Sequence, residues 1–333
     1  MLLMTPMSGI PRARRFRHGA WGWTAGLAGM LAILLAPGTA QIGAQSGIVQ
    51  RTRAAIAARD LRGAEQMAVR ALRQSPSDAE ALLALSWVGR GALAAQQLDM
   101  ALRVAQDTET RILSVLHLRP LDAEPQVPLA LGAAYEVQAQ ALAGLGARSE
   151  ALILLNRALV RYGKTSIQAR LQKNVHLLSL RGQPMPSLVT EEHLTDVRLT
   201  PAATLGKPLL LFFWAHWCAD CKGFVRTLST LRAEFGPRGL VVVAPTQRYG
   251  YIGARDDVPA AEERRHIAMI REEFYPSLAS VPIPLSPRNF SGYGVSTTPT
   301  LVLVDRKGLV QTYHPGGMTA TELRPLLSAL VKP

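Results

Sequence analysis

The chain has 333 residues and two cysteines, Cys218 and Cys221, and what flanks them constrains the fold more than any other feature. Before them runs Leu209-Leu210-Leu211-Phe212-Phe213-Trp214, an uninterrupted apolar stretch of strand length, as expected for a strand buried on both faces. After them, Phe224, Leu228, Leu231 and Phe235 recur at helical spacing. The pair therefore opens a helix that follows a buried strand. There, unpaired backbone N–H groups and the helix dipole stabilise a thiolate on the first cysteine. Two intervening residues let the second sulfur attack a mixed disulfide formed by the first. Cys218 is expected to be the exposed nucleophile and Cys221 the resolving thiol of a redox couple. A zinc site would want two further ligands, and none is suitably spaced, so no metal and no cofactor are expected. A disulfide closing so short a loop removes little unfolded-state entropy, which argues against a structural staple. Zinc or inert cysteines remain the alternative reading.

The length favours two domains plus a processing segment. With 48% hydrophobic and 18% charged residues, the chain can build packed cores. The formal charge of +13 is spread along the chain and partly concentrated at the N-terminus. Without a basic stripe or a nucleic-acid-binding signature, nucleic acid is not expected as a partner. Arg15, Arg51 and Arg170 read as targeting or solvated-face residues, and an anionic partner surface stays open. Arg12, Arg14, Arg15, Arg17 and His18 precede an uncharged run from Gly19 to Ala40 that contains Met30-Leu31-Ala32-Ile33-Leu34-Leu35. Residues 1–40 thus read as a signal peptide, with Gly38 and Ala40 at peptidase spacing, or as an uncleaved membrane anchor. Either places the functional part outside the cytoplasm, in the periplasm or on the outer face of the cytoplasmic membrane.

From Gly47 to Leu180 alanine, leucine, arginine and glutamine dominate at helical spacing. Ala64, Ala71 and Pro76 are seven and five residues apart, and Ala151 and Ala158 repeat the interval of seven. Around Ala151, Tyr135, Gly146 and Leu155 fall at aromatic, turn and inter-alanine positions. This segment resembles degenerate tetratricopeptide (TPR) repeats, two or three units with a poorer copy around Leu85 to Ala105. The alternative is an unrelated alanine-rich bundle. Pro120, Pro125 and Pro128 predict a loop between helical units, and Arg181-Gly182-Gln183-Pro184-Met185-Pro186 a boundary.

Phe213-Trp214-Ala215-His216-Trp217-Cys218-Ala219-Asp220-Cys221-Lys222 resembles the active-site strand and turn of thioredoxins, a resemblance running from about Arg198 to the end. Strands are expected at Gly239 to Ala244, Val281 to Leu285, Leu301 to Val304 and Leu309 to His314. A hairpin turn at Asp305-Arg306-Lys307-Gly308 and a closing helix from Thr319 to Val331 complete the pattern. The segment between Ala244 and Val281, with a helix from Ala260 to Tyr275, resembles that of the TlpA and ResA branch of extracytoplasmic oxidoreductases. The resemblance implies that Pro299 is cis and faces the cysteines, that Thr298 presents backbone groups to an extended substrate, and that Trp217 forms an apolar platform. An ordinary strand-leading proline is the plainer reading of Pro299.

The expected fold class is therefore multidomain: an all-α TPR-like helical repeat domain (46–182), a linker (183–197) and an α/β thioredoxin-fold domain (198–333). The implied function is reduction of protein disulfides by an extracytoplasmic thiol-disulfide oxidoreductase. Re-reduction calls for a membrane or soluble thiol electron donor, and the helical surface for a protein partner. A membrane is involved only through the anchor reading of residues 1–40.

Several positions depart from the family. Phe212 stands where thioredoxins carry a buried aspartate, and Asp220 where proline is common. The Asp220 carboxylate either takes up proton transfer or disfavours the Cys218 thiolate, the second effect making the couple more reducing. His216 reads as a partly exposed loop residue that either tunes Cys218 or stands by, and Lys222 as carrying no catalytic step. Tyr249 and Tyr251 either line a cleft or pin their loop. A peroxiredoxin would place proline and threonine before one cysteine, and a copper-delivery protein a longer cysteine spacing and a dedicated histidine, for which His314 alone is poor support. From another class, a TPR adaptor with the thioredoxin domain as a binding module is the competing reading.

Overall fold

The computed structural model of the chain describes residues 47–332. The targeting segment expected at 1–40 lies outside the described residues. Among those described, no helix is long and apolar enough to cross a membrane.

The first half is helical: α1 (Ile48–Ala57), α2 (Leu61–Gln74), α3 (Ala79–Ala94), α4 (Leu98–Val115), α5 (Gln126–Gly144), α6 (Arg148–Tyr162) and α7 (Gln168–Ser179). One turn recurs between α1 and α2, α3 and α4, and α5 and α6. Its left-handed residue is Arg59, Gln96 and Gly146 in turn, and the next N–H in each, from Asp60, Gln97 and Ala147, donates back to Ala55, Ala92 and Leu142. This is a helix-ending motif that satisfies orphan carbonyls. Ala64, Ala101 and Ala151 follow these turns at one common offset, and Ala71, Thr108 and Ala158 at another. The middle pair, α3 and α4, thus carries Thr108 where the other two carry Ala71 and Ala158. Buried among apolar neighbours, Thr108 donates its hydroxyl to Val104 O at 2.8 Å. Pro76 follows the end of α2 as expected. Pro128, expected in a loop, instead lies in the first turn of α5, where its missing N–H is an orphan in any case. The core of this half joins Leu82, Leu85, Leu131 and Leu155.

The second half contains α8 (Pro201–Thr204), β1 (Leu209–Phe213), α9 (Ala219–Phe235), β2 (Val241–Val243), α10 (Ala260–Phe274), α11 (Pro287–Gly292), β3 (Thr300–Val304), β4 (Val310–Pro315) and α12 (Ala320–Leu330). Its sheet has the order β2-β1-β3-β4, with β1 parallel to β2 and antiparallel to β3. Alternate residues of β1 serve two cores. Leu210 and Phe212 pack with Leu228, Ile267 and Leu323 of α9, α10 and α12, whereas Leu209, Leu211 and Phe213 pack with Phe290 and Tyr293. That two-sided burial is why the sequence shows no alternation here. The strand expected at 281–285 is not one. Ala244 and Thr246 donate to Pro282 O and Pro284 O, but neither proline can donate in return, so no continuous ladder forms. The turn at Asp305–Gly308 is held by Asp305 Oδ1, which accepts from Lys307 N and Leu309 N, and α12 starts in a reciprocal cap between Thr319 and Glu322.

Residues 183–197 are tied to this half: Met185 N donates to Gly308 O, Val310 N to Gln183 O and Leu194 N to Ile283 O. The halves meet at α7. His176 Nε2 lies 2.9 Å from Gly292 O and its ring 5.6 Å from that of Tyr313, while Tyr313 donates its hydroxyl to Tyr293 O and Gly294 O. At Gly294, φ is +64° and an added Cβ would lie 2.3 Å from Lys173 N, so only glycine lets α7 approach. One expectation for the helices is corrected. Arg170 does not face solvent: it is 9% exposed, and its Nε donates to Glu136 Oε2 at 2.6 Å. The α5–α7 contact covers it, and helical periodicity within α7 alone does not reveal that.

Candidate functional site

Cys218 caps the N-terminus of α9, and the two cysteines form a disulfide. Cys218 Sγ accepts from Cys221 N–H at 3.0 Å, which directs the helix N-terminus at the sulfur. β1 delivers the pair to this position: beyond Phe213, Trp214 donates its ring N–H to Ala244 O, and Thr246 donates its hydroxyl to Trp214 O. Cys218, expected to be exposed, is 3% exposed in this oxidised state, because its sulfur turns onto the helix and packs in the cluster of Trp214, Ala215 and Phe224. Cys221 is fully buried.

The Thr298–Pro299 peptide is cis. Pro299 O accepts from Gly316 N at 2.7 Å. Its ring and that of Phe224, one turn beyond Cys221, both lie 3.8 Å from the position a Cβ on Gly317 would take, so the proline borders the cysteine-bearing helix. Thr298 Oγ1 is buried and takes no hydrogen bond, and so is Trp217 Nε1, whose ring meets Tyr249 edge-on at 5.3 Å. Asp220 sits exposed in the first turn of α9. Lys222 covers the Phe274 ring at 4.0 Å. Phe212 contacts Phe224 and Tyr275, filling with aromatic rings the site where the family's acid would stand.

His216 is not the partly exposed loop residue expected. Its side chain is 2% exposed and enclosed by the rings of Tyr249, Tyr251 and His266. Its Nε2 has no hydrogen-bond partner and lies 3.5 Å from Glu263 Oε1. Burial, with His266 and Lys222 nearby, pushes its pKa down to about 4. Glu263, itself fully buried on α10, accepts from Tyr249 N at 2.5 Å and Gly250 N at 2.9 Å. The tyrosine loop is thus pinned through its backbone by Glu263. Sequence reasoning missed this residue, although a signal was there: Glu263 shares a helical face with Ile267 and Ile270, an acid at a core position. Among the described residues, no group of histidine, cysteine and carboxylate side chains is arranged to hold a metal ion.

A cysteine pair opening a helix after a doubly buried strand, with a cis proline beside that helix, defines a thioredoxin-like domain. The thioredoxin-like domain family model matches residues 196–330, and the C-terminal part of this chain is such a domain. Among curated proteins, the chain is 28% identical over 123 residues to the thioredoxin-like protein YneN of Bacillus subtilis, covering 37% of this chain and 64% of that protein. It is 26% identical over 140 residues to the thiol-disulfide oxidoreductase ResA of Geobacillus thermodenitrificans, covering 42% and 68% respectively. Among solved structures, a thiol-disulfide isomerase from Corynebacterium glutamicum matches at 17% identity and a TM-score of 0.39, covering 46% of this chain and 97% of that one. A putative thiol:disulfide interchange protein DsbE from Chlorobium tepidum matches at 22% and 0.35, covering 46% and 98%.

Proposed function

We propose that the chain is an exported thiol-disulfide oxidoreductase that reduces protein disulfides, its helical half recruiting the partner. The observation that carries this reading is the Cys218–Cys221 disulfide at the N-terminus of α9, with a backbone N–H directed at Cys218 Sγ. In the reduced protein, the Cys218 thiolate attacks a substrate disulfide and the displaced substrate sulfur takes up a proton. Cys221 then loses its proton and attacks Cys218 of the mixed disulfide. The second substrate thiol leaves, two electrons have passed to the substrate, and the Cys218–Cys221 disulfide remains for a membrane or soluble thiol donor to reduce. Thr298 offers backbone groups to the substrate segment, Pro299 leaves the edge without a donor, and Trp217 forms the apolar side of the cleft. The exposed carboxylate of Asp220, one residue before Cys221, opposes the thiolate and favours the reducing direction. Export rests on the composition of residues 1–40, and recruitment on the three similar helix pairs, which support the TPR-like reading of residues 46–182.

We further propose that the buried His216–Glu263 pair, whose histidine stands two residues before Cys218, takes part in proton transfer at the cysteine pair, since Phe212 is apolar and Asp220 is exposed. Glu263→Gln should move the pH profile of Cys218 alkylation by about half a unit or more; an unchanged profile removes the pair from the mechanism.

The Cys221→Ser variant tests the function as a whole. It should accumulate disulfide-linked partners through Cys218 while losing insulin reduction. If no adducts form and the unaltered protein leaves insulin intact, the adaptor reading replaces this one. A glutathione equilibrium giving a potential as high as that of strong oxidants would reverse the reducing direction.

A further inference from the structure

Residues 293–299 run from the end of α11 to the cis proline and include Thr298, whose backbone is to meet the substrate. Ser296, Thr297 and Thr298 are half-buried, and the N–H and C=O of Thr298 enter no backbone hydrogen bond among the described residues. The bonds within the segment are short in range: Gly294 N donates to Ser291 O, Val295 N to Phe290 O and Ser296 N to Gly294 O, and Thr300 donates its hydroxyl to Thr297 O. A longer-range hold comes from β4. Tyr313 shares its hydroxyl proton between Tyr293 O at 2.9 Å and Gly294 O at 3.1 Å.

The helical half closes on the same segment through α7. His176 Nε2 lies 2.9 Å from Gly292 O, and since a carbonyl only accepts, this nitrogen carries the proton. The His176 ring meets that of Tyr313 edge-on, and Gln168 donates to Ser291 O at 3.4 Å. The carbonyl oxygens of Ser291, Gly292, Tyr293 and Gly294, four in succession, thus accept from α7 or from Tyr313. Gly294 also lies against the α7 backbone, with no room for a Cβ beside Lys173 N.

We propose that Tyr313 is a positioning residue for substrate binding, braced by His176 of α7, and that the helical half thereby fixes the backbone that receives the substrate. This rests on the redox reading and deepens it, because the helical half then acts on the cleft itself. A backbone fixed before the substrate arrives loses no freedom on binding it. Tyr313 packs in the core of Phe213, Phe290 and Tyr293, whereas Cys218 and Cys221 belong to the core on the other side of β1. Loosening the segment should therefore weaken the binding of an extended substrate and spare the reactivity of Cys218.

The test compares the full-length protein with Tyr313→Phe, which keeps the ring and removes the hydroxyl. Dithiothreitol supplies electrons, and either insulin or bis(2-hydroxyethyl) disulfide, which has no peptide backbone, accepts them. The variant should raise the KM for insulin about threefold or more, keep kcat and the Cys218 alkylation rate within about twofold, and reduce the small disulfide as the unaltered protein does. In the oxidised proteins the Val295 and Ser296 amides should exchange about threefold faster or more, while those of α9 hold. His176→Phe should shift KM and exchange in the same direction, so poor folding of one variant does not decide the outcome. An unchanged KM for insulin, an equal loss on both disulfides, or unchanged exchange at Val295 and Ser296 overturns the proposal. Insulin reduction by the unaltered protein reads the redox assignment separately, and if that fails the exchange rates alone decide whether Tyr313 and α7 brace the segment.

Discussion

At the residue scale, the burial of His216 has a measurable consequence for stability. Its pKa is about 4 in the folded chain against an ordinary 6.5, owing to burial, His266 and Lys222. Tyr249, Tyr251 and Glu263 complete its surroundings. Between those values the unfolded chain binds the extra proton, so this contribution to stability is complete above about pH 6.5 and is lost as pH falls toward 4. Urea midpoints for His216→Asn should therefore fall less steeply from pH 7 to pH 5 than those of the unaltered protein, and equal slopes would refute the assignment. Some slope persists, because burial also lowers His176 and His193. Phe212 offers a second check. Restoring the family's aspartate there places a carboxyl among Phe224 and Tyr275, with an expected cost of about 3 kcal/mol or more in denaturant titration. A near-neutral outcome would mean that this aromatic cluster accommodates an acid. The cysteines, Phe212, Thr298 and Pro299 were singled out from the sequence, and the structure joins the cysteines in a disulfide and makes the Thr298–Pro299 peptide cis. Glu263 was passed over despite its place on the face of Ile267 and Ile270, because an acid in the first turn of a helix ordinarily complements the dipole at the surface.

At the element scale, the three recurrent turns differ in one respect: two place side-chain-bearing residues, Arg59 and Gln96, in the left-handed region, and the third places Gly146 there. Gln96→Gly should raise stability by about 0.5–1 kcal/mol, read as an increase in melting temperature. A decrease would show that the Gln96 side chain contributes more than its backbone strain costs. The turns explain the legibility of this half as well. Small residues at fixed offsets and a proline after α2 mark helix ends through local chemistry. Residues 281–285 were misread because an apolar run looks the same whether or not its neighbours donate to it. Pro282 and Pro284 decide the matter through the N–H groups they lack.

At the scale of the whole molecule, the two halves share α7. Gly294→Ala forces a Cβ against Lys173 N in a left-handed conformation, so a loss of about 2–3 kcal/mol or more is expected, together with faster proteolysis near residues 181–186. Retention of full stability would mean that α7 and this loop separate without cost. Because α7 packs in the helical core and its C-cap Leu180 in the core beside the sheet, amides of α5 and of β1 should exchange with similar global protection in native-state hydrogen exchange. Widely different limits would make the halves independent. The sequence by itself determined the cysteine pair, the helix it opens, the doubly buried strand before it and the helical character of the first half, since each depends on local spacing and on backbone chemistry. Only the tertiary structure decided that Cys218 is covered in the disulfide state, that Glu263 meets His216, and that Arg170 is buried against Glu136 of α5. Those contacts join residues far apart in the chain, and burial, which sets their charge and reactivity, is a property of the packed molecule.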